Sequence, residues 1–166
     1  MIGQKMKYRI PHRWNQDPCW EGEIEDHGND GKNLGAAVLA AHKSGASLDG
    51  AILDGASLYR ASLVGASLDG ASLYRASLDG ARLDGAEKIL ANGVRMIGPI
   101  GSRSSYCTAY ATDKGLRFRT GCFFGNPDAL RNKVVATHGV TDHALDYEAW
   151  IAWCEAWYAR MTRLPS

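Results

Sequence analysis

From residue 46 to residue 85 the chain repeats a five-residue pattern: ASLDG, AILDG, ASLYR, ASLVG, ASLDG, ASLYR, ASLDG, ARLDG. Each unit has a small residue first and an apolar residue third. A period of five fits neither an amphipathic helix, at about 3.6 residues per turn, nor a strand that alternates every second residue. It fits a coil that turns a corner every five residues, with alanine and leucine pointing inward. The serines, aspartates, tyrosines and arginines then face water. Ser, Gly and Asp are also common in disordered segments, but eight apolar residues in strict phase argue for a packed core. The unit after Gly85 keeps its alanine, Ala86, but puts Lys88 where leucine belongs, and the repeat ends there.

The flanks follow other periods. Before the repeat, KYRIPHRW and CWEGEIED read as short strands joined by a turn over 15–18. Asn29-Asp30-Gly31 marks a helix start, and Leu34, Ala37, Val38 and Ala41 share one face of a helix over 33–43. Ser44-Gly45 ends that helix, whose expected task is to cover the N-terminal end of the coil. After the repeat, 106–111 and 116–120 read as a hairpin around Thr112-Asp113-Lys114-Gly115. Alternation puts Cys107, Ala109, Leu116 and Phe118 on one face, and Tyr106, Thr108, Tyr110, Arg117 and Arg119 on the other. Asn126-Pro127-Asp128 opens a short helix stopped by His138-Gly139. A last helix over 141–161 carries a stripe of Tyr147, Trp150, Ile151, Cys154, Trp157, Tyr158 and Met161, with Trp153 well off it.

The five-residue units resemble the pentapeptide-repeat family. That resemblance implies a right-handed quadrilateral β-helix with four units per coil, and therefore two coils here. Leu48 then stacks on Leu68, Leu53 on Leu73, Leu58 on Leu78 and Leu63 on Leu83. At a strand spacing of about 4.8 Å, two coils make a stub on the order of 10 Å long. Its open ends need caps. The expected organisation is mainly β: strands and a capping helix over 1–45, the β-helix over 46–90, and a hairpin with two helices over 91–166. WxxxxxxxGEIE, LGAAVLAAHKSGASLDGA and IGPIGSR…TAYATDKGLRFRTGCFFG…VVATHG further resemble a group of phage and prophage pentapeptide-repeat proteins. In that group the repeat is followed by a domain carrying GSR, an aromatic-rich hairpin, GCFxG and a helix ending in HG.

Composition narrows the function. The 166 residues hold 19 basic against 18 acidic side chains, which supplies no bulk attraction to nucleic acid or anionic membrane. The same balance lacks the dense acidic surface of a DNA mimic. No apolar run approaches the roughly 20 residues that span a bilayer, and the start of the chain has no signal-peptide stretch, so a cytoplasmic location is expected. The four cysteines, Cys19, Cys107, Cys122 and Cys154, form no CxxC pair and read as reduced structural thiols.

Catalytic motifs are missing from the sequence: no HExxH, no Walker A, no GxGxxG. Asp49, Asp54, Asp69, Asp79 and Asp84 occupy the fourth position of the repeat and read as solvated turn residues. His138, His143 and Cys122 could meet in space, but His138-Gly139 is better explained as a helix end, where a basic residue complements the helix dipole. No metal or cofactor is expected, and the protein is read as a binding protein and not an enzyme.

Two binding functions compete. In one, a phage accessory protein sequesters a small anionic, nucleotide-like ligand as a counter-defence. Ser102, Arg103 and Ser104 would hold the charge, and the hairpin face of Tyr106, Tyr110, Arg117 and Arg119 would stack a base and hold phosphate. In the other, an interaction module inhibits a host or defence protein, using Trp153, Tyr59 and Tyr74 as its interface. DNA mimicry at a topoisomerase is a poorer third, given two coils and near-neutral charge. Self-association through the last helix is a further expectation, because Trp153 adds to an already wide aromatic stripe.

Overall fold

The computed structural model describes residues 3–68, 70–82, 87–101, 105–121 and 123–163. The chain divides into two compact units, Met1–Asn92 and Gly93–Ser166. The N-terminal strands and first helix therefore share a unit with the repeats.

In the first unit, β1 (Lys5–Ile10) pairs antiparallel with β2 (Trp20–Glu25), from Lys5 opposite Glu25 to Ile10 opposite Trp20. The first strand stops short of the expected Trp14 because Pro11 has no N–H for the ladder. Its chain then runs along the repeats instead. Ile52 N–H donates to Pro11 O at 2.9 Å, His12 bridges Ala51, and Arg13 N–H donates to Gly50 O at 2.8 Å. Helix α1 (Asp30–Lys43) begins three residues earlier than the apolar pattern suggests, since the Asn29 side chain caps it by accepting from Lys32 N–H. Leu34, Ala37, Val38 and Ala41 are buried as expected. A Cβ at Gly35 would fall on Ser57 O and one at Gly31 would stand 2.6 Å from Gly55 O, so only glycine lets this helix lie so close to the repeats.

From Leu48 to Leu78 each repeat closes a tight turn in which the alanine opening the next unit donates to the leucine carbonyl, as Ala51 does to Leu48 O and Ala61 to Leu58 O. The fifth residue sits at the third turn position, where a left-handed backbone favours glycine. Turns then stack with a fixed offset: Ile52 bridges Ser72, Ser57 bridges Ser77 and Ser62 bridges Arg82, all in parallel and twenty residues apart. Leu53, Leu58 and Leu63 N–H donate upward to Ser72, Ser77 and Arg82 carbonyls at 2.8, 2.7 and 2.9 Å. Four five-residue units thus make one coil. Leu48, Leu53, Leu58, Leu63, Leu68, Leu73 and Leu78 are all buried, as are Ala51, Ala56, Ala61, Ala66 and Ala71 between them, while Ala76 is half-buried; Leu83 lies outside the described residues.

Both ends of this stack are paired. Below, Pro11 O and Gly31 O accept from Ile52 and Ser57 N–H. Above, the chain after the repeat turns back so that Lys88 bridges Arg82 antiparallel and Ile89 exchanges hydrogen bonds with Gly80 and Ala81. Part of each edge that would otherwise recruit another strand is thereby covered.

In the second unit a four-stranded sheet runs in the order β3 (Ile89–Ile100), β4 (Ser105–Thr112), β5 (Gly115–Thr120), β6 (Phe123–Gly125), with β3 entering from the first unit. The hairpin register sets Thr108 opposite Arg119, Tyr110 opposite Arg117 and Ala111 opposite Leu116. Helices α2 (Pro127–His138) and α3 (Asp142–Arg163) pack on β5 and on each other. Asn126 caps α2 by accepting from Ala129 N–H, with Pro127 in the first turn. Tyr147, Trp150, Ile151, Cys154 and Trp157 form the buried stripe of α3, and Tyr158 Oη donates to Thr112 O at 3.3 Å.

Candidate interaction surface on the repeats

The expected anion site does not present the surface that alternation suggests. Ser102, Arg103 and Ser104 lie outside the described residues. The register does set Tyr110 and Thr108 opposite Arg117 and Arg119, hence on one face. Yet Tyr110 is 0 % exposed and Tyr106 is half-buried with its ring against Gly98, so Tyr110 offers no plane for a base from solvent. The reason is that β4 and β5 are covered on both sides: Cys107, Ala109 and Phe118 are buried on the opposite face as well. Arg119 lies 5.0 Å over the Phe124 ring, and Arg117 donates to Leu116 O at 3.0 Å.

The expected interface residues are more accessible. Trp153 is 46 % exposed and stacks between Trp150, at 5.3 Å between centroids, and Trp157, at 6.3 Å. Tyr59 and Tyr74 are 57 % and 63 % exposed. Each carries the guanidinium of the next residue over its ring: Arg60 at 4.8 Å from the Tyr59 centroid, Arg75 at 5.0 Å from that of Tyr74. Sequence reasoning passed over these arginines. The signal was present, since they are the two non-glycine residues in the fifth position of the repeat.

The aspartates are more than solvated turn residues. Asp54 accepts from Ser72 Oγ and from Tyr74 N–H in the coil above, and Asp49 accepts from Ser67 Oγ. Asp79 accepts from Asn92 N–H at 3.0 Å, beyond the last repeat. These carboxylates tie one coil to the next. Asp69 and Asp84 lie outside the described residues.

The second unit holds further side-chain clusters. Arg131 on α2 donates to both Glu148 and Glu155 on α3, at 3.0 Å and 2.8 Å for the nearest oxygens. Hydrogen bonds from Arg131 hold the Glu155 carboxyl below its ordinary value. The rings of His138 and His143 do approach, 5.8 Å between centroids, while Cys122 lies outside the described residues. Among the described residues no group of three or more His, Cys, Asp and Glu side chains could hold a metal ion. Burial pushes the Cys107 thiol up to about 12, and Cys19, Cys107 and Cys154 are free thiols. No described helix is long and apolar enough to cross a membrane.

Five-residue units, inward leucines and a twenty-residue stacking offset together define the repeat class. Residues 51–87 match the family model of pentapeptide repeats, in 8 copies. Pentapeptide repeats imply a β-helix, in agreement with the parallel bridges. The chain matches no curated protein and no solved structure.

Proposed function

We propose that the protein is a non-enzymatic binding module that docks on a protein partner through the exposed corners of its pentapeptide-repeat stack. The observation that carries this reading is the pair Tyr59 and Tyr74, each more than half exposed and each stacked by an arginine, on a backbone laddered from below and above. Tyrosine and arginine are residue types that dominate interface energetics. A backbone already ordered also loses little freedom on binding. Following the family resemblance, the stack is a right-handed quadrilateral β-helix of two coils. The resemblance of the flanks to phage and prophage proteins makes a host or defence protein the expected partner, met in the cytoplasm.

The test is site-specific photo-crosslinking in cells. A benzophenone side chain at Tyr59 or Tyr74 should capture the same protein from both positions, and one at the exposed Val140 should not. Capture of nothing, or of unrelated proteins from the two positions, contradicts the reading.

A second reading, sequestration of a small nucleotide-like anion, is favoured by the register that sets Thr108 opposite Arg119 and Tyr110 opposite Arg117, a face that strand alternation extends to Tyr106. Thermal-shift screening against nucleotides and cyclic nucleotides checks it. A ligand at one hundred times its Kd should stabilise the fold by about 2.7 kcal/mol, and no shift with any of them removes this reading.

A further inference from the structure

We propose that three consecutive corners of the repeat stack form one docking belt for an acidic protein segment, a step that rests on the protein-binding reading above. The twenty-residue offset sets Gly50 below Gly70, Gly55 below Arg75 and Arg60 below Gly80. Along the first corner lies Trp14: a Cβ at Gly50 would stand 2.8 Å from its ring, and one at Gly70 2.6 Å. Tyr74 occupies the second corner and Tyr59 the third. Every one of these rings has a guanidinium stacked on it, Arg13 at 5.3 Å, Arg75 at 5.0 Å and Arg60 at 4.8 Å. The rings are 62 %, 63 % and 57 % exposed, in the same order.

Backbone conformation separates Arg60 and Arg75 from ordinary surface residues. Their φ angles are +56° and +57°, whereas the other fifth positions with a left-handed backbone, Gly50, Gly55, Gly65, Gly70 and Gly80, are glycine at +65° to +77°. An L side chain in that region is disfavoured by contact between its Cβ and the following carbonyl. Glycine would serve the turn better. Among the described residues neither guanidinium is in an ion pair with a carboxylate, and each lies over its own tyrosine ring. Strain kept at an exposed position, twice, in the identical unit ASLYR, points to recognition. Arg13 differs, because its Nη1 is bonded to Gly70 O at 3.1 Å. It fixes Trp14 on the corner, and the two repeat arginines do the reading.

The chemistry selects the partner class. A guanidinium stacked on an aromatic plane still presents edge N–H groups that match a carboxylate. Asp49, Asp54 and Asp79 lie at the fourth positions beside these corners, so a continuous phosphate backbone crossing the belt would meet like charge. A protein segment can place its carboxylates at the arginines alone. The net charge of +1 likewise offers no general attraction for nucleic acid.

Fluorescence anisotropy with a labelled Glu-rich peptide tests this, with a Gln-rich peptide and oligothymidylate as comparators. Wild-type protein should bind the Glu-rich peptide, more weakly as salt rises. The Arg60→Gly/Arg75→Gly protein should bind it at least about tenfold less tightly, since the loss of even one charge-assisted hydrogen bond costs that much. The same replacement should raise Tm by a few degrees as the strain is released. No binding of the Glu-rich peptide, equal binding of the Gln-rich peptide, or preference for oligothymidylate overturns the acidic-segment inference. So does a fall in Tm, which would make the arginines structural ties. In none of these cases is crosslinking at Tyr59 and Tyr74 affected, so the failure of the belt's chemistry is distinguishable from failure of the protein-binding reading.

Discussion

Tyrosine stands beside arginine in both units of this protein, with opposite outcomes. In the repeats, Tyr59 and Tyr74 project to solvent under the guanidinium of the next residue. In the hairpin, Tyr110 faces Arg117 across the strands and is entirely buried. The period of five leaves no freedom in the first region: the third residue must point inward, and the fourth and fifth make the corner. A period of two fixes only which residues share a face, and whether that face is wet depends on what packs over it. Similar residue content is therefore a surface signal in one architecture and a core signal in the other.

The comparison breaks most sharply under large-to-small replacement. Tyr110→Ala and Trp150→Ala should each cost about 3–5 kcal/mol in chemical denaturation, as buried aromatics do. Leu58→Ala and Leu78→Ala should each cost about 2–5 kcal/mol. Costs below about half a kcal/mol at both leucines would contradict the stacking register. Trp153→Ala, by contrast, should leave stability nearly unchanged and weaken self-association, which sedimentation velocity over a concentration series will show. A monomer at every concentration would remove that expectation.

Smaller and more conditional is the Arg131 link between α2 and α3. Its partners Glu148 and Glu155 are 52 % and 42 % exposed, so solvent screening limits the effect of Arg131→Ala to about 1 kcal/mol at neutral pH. The Glu155 carboxyl is held low in the folded protein. Its contribution is therefore present above the unfolded value of about 4.3 and is lost as pH falls through the lower folded value. Wild-type and Arg131→Ala unfolding free energies should accordingly converge as the pH drops below 4.3, about the unfolded value. A difference that persists unchanged at acid pH would mean the arginine acts through packing.

Much of the fold was legible in the chain. The repeat announced itself by phase, α1 by the spacing of Leu34, Ala37, Val38 and Ala41, and the hairpin by alternation around Thr112 to Gly115. What escaped reading depended on contacts far apart in sequence. The strand β3 runs through Gly98-Pro99, a pair that reads as a loop because neither residue favours a strand. His12 to Trp14 leave the first hairpin to lie along the coil, a path that only Pro11 hinted at. The burial of Tyr110 has no local signal, since alternation does not say which faces are covered. Arg60 and Arg75 could have been found, because a non-glycine residue at a position that needs a left-handed backbone is visible once the turn is recognised.

The most direct test of the account measures stability and partner capture on one variant, Tyr59→Ala/Tyr74→Ala. Equilibrium denaturation should give an unfolding free energy within about half a kcal/mol of wild type, as for surface positions. Affinity capture under the same conditions should lose the protein that crosslinks to the wild-type corners. A strongly destabilised variant, or one that still captures that protein in full, would contradict the claim that these corners are the binding surface.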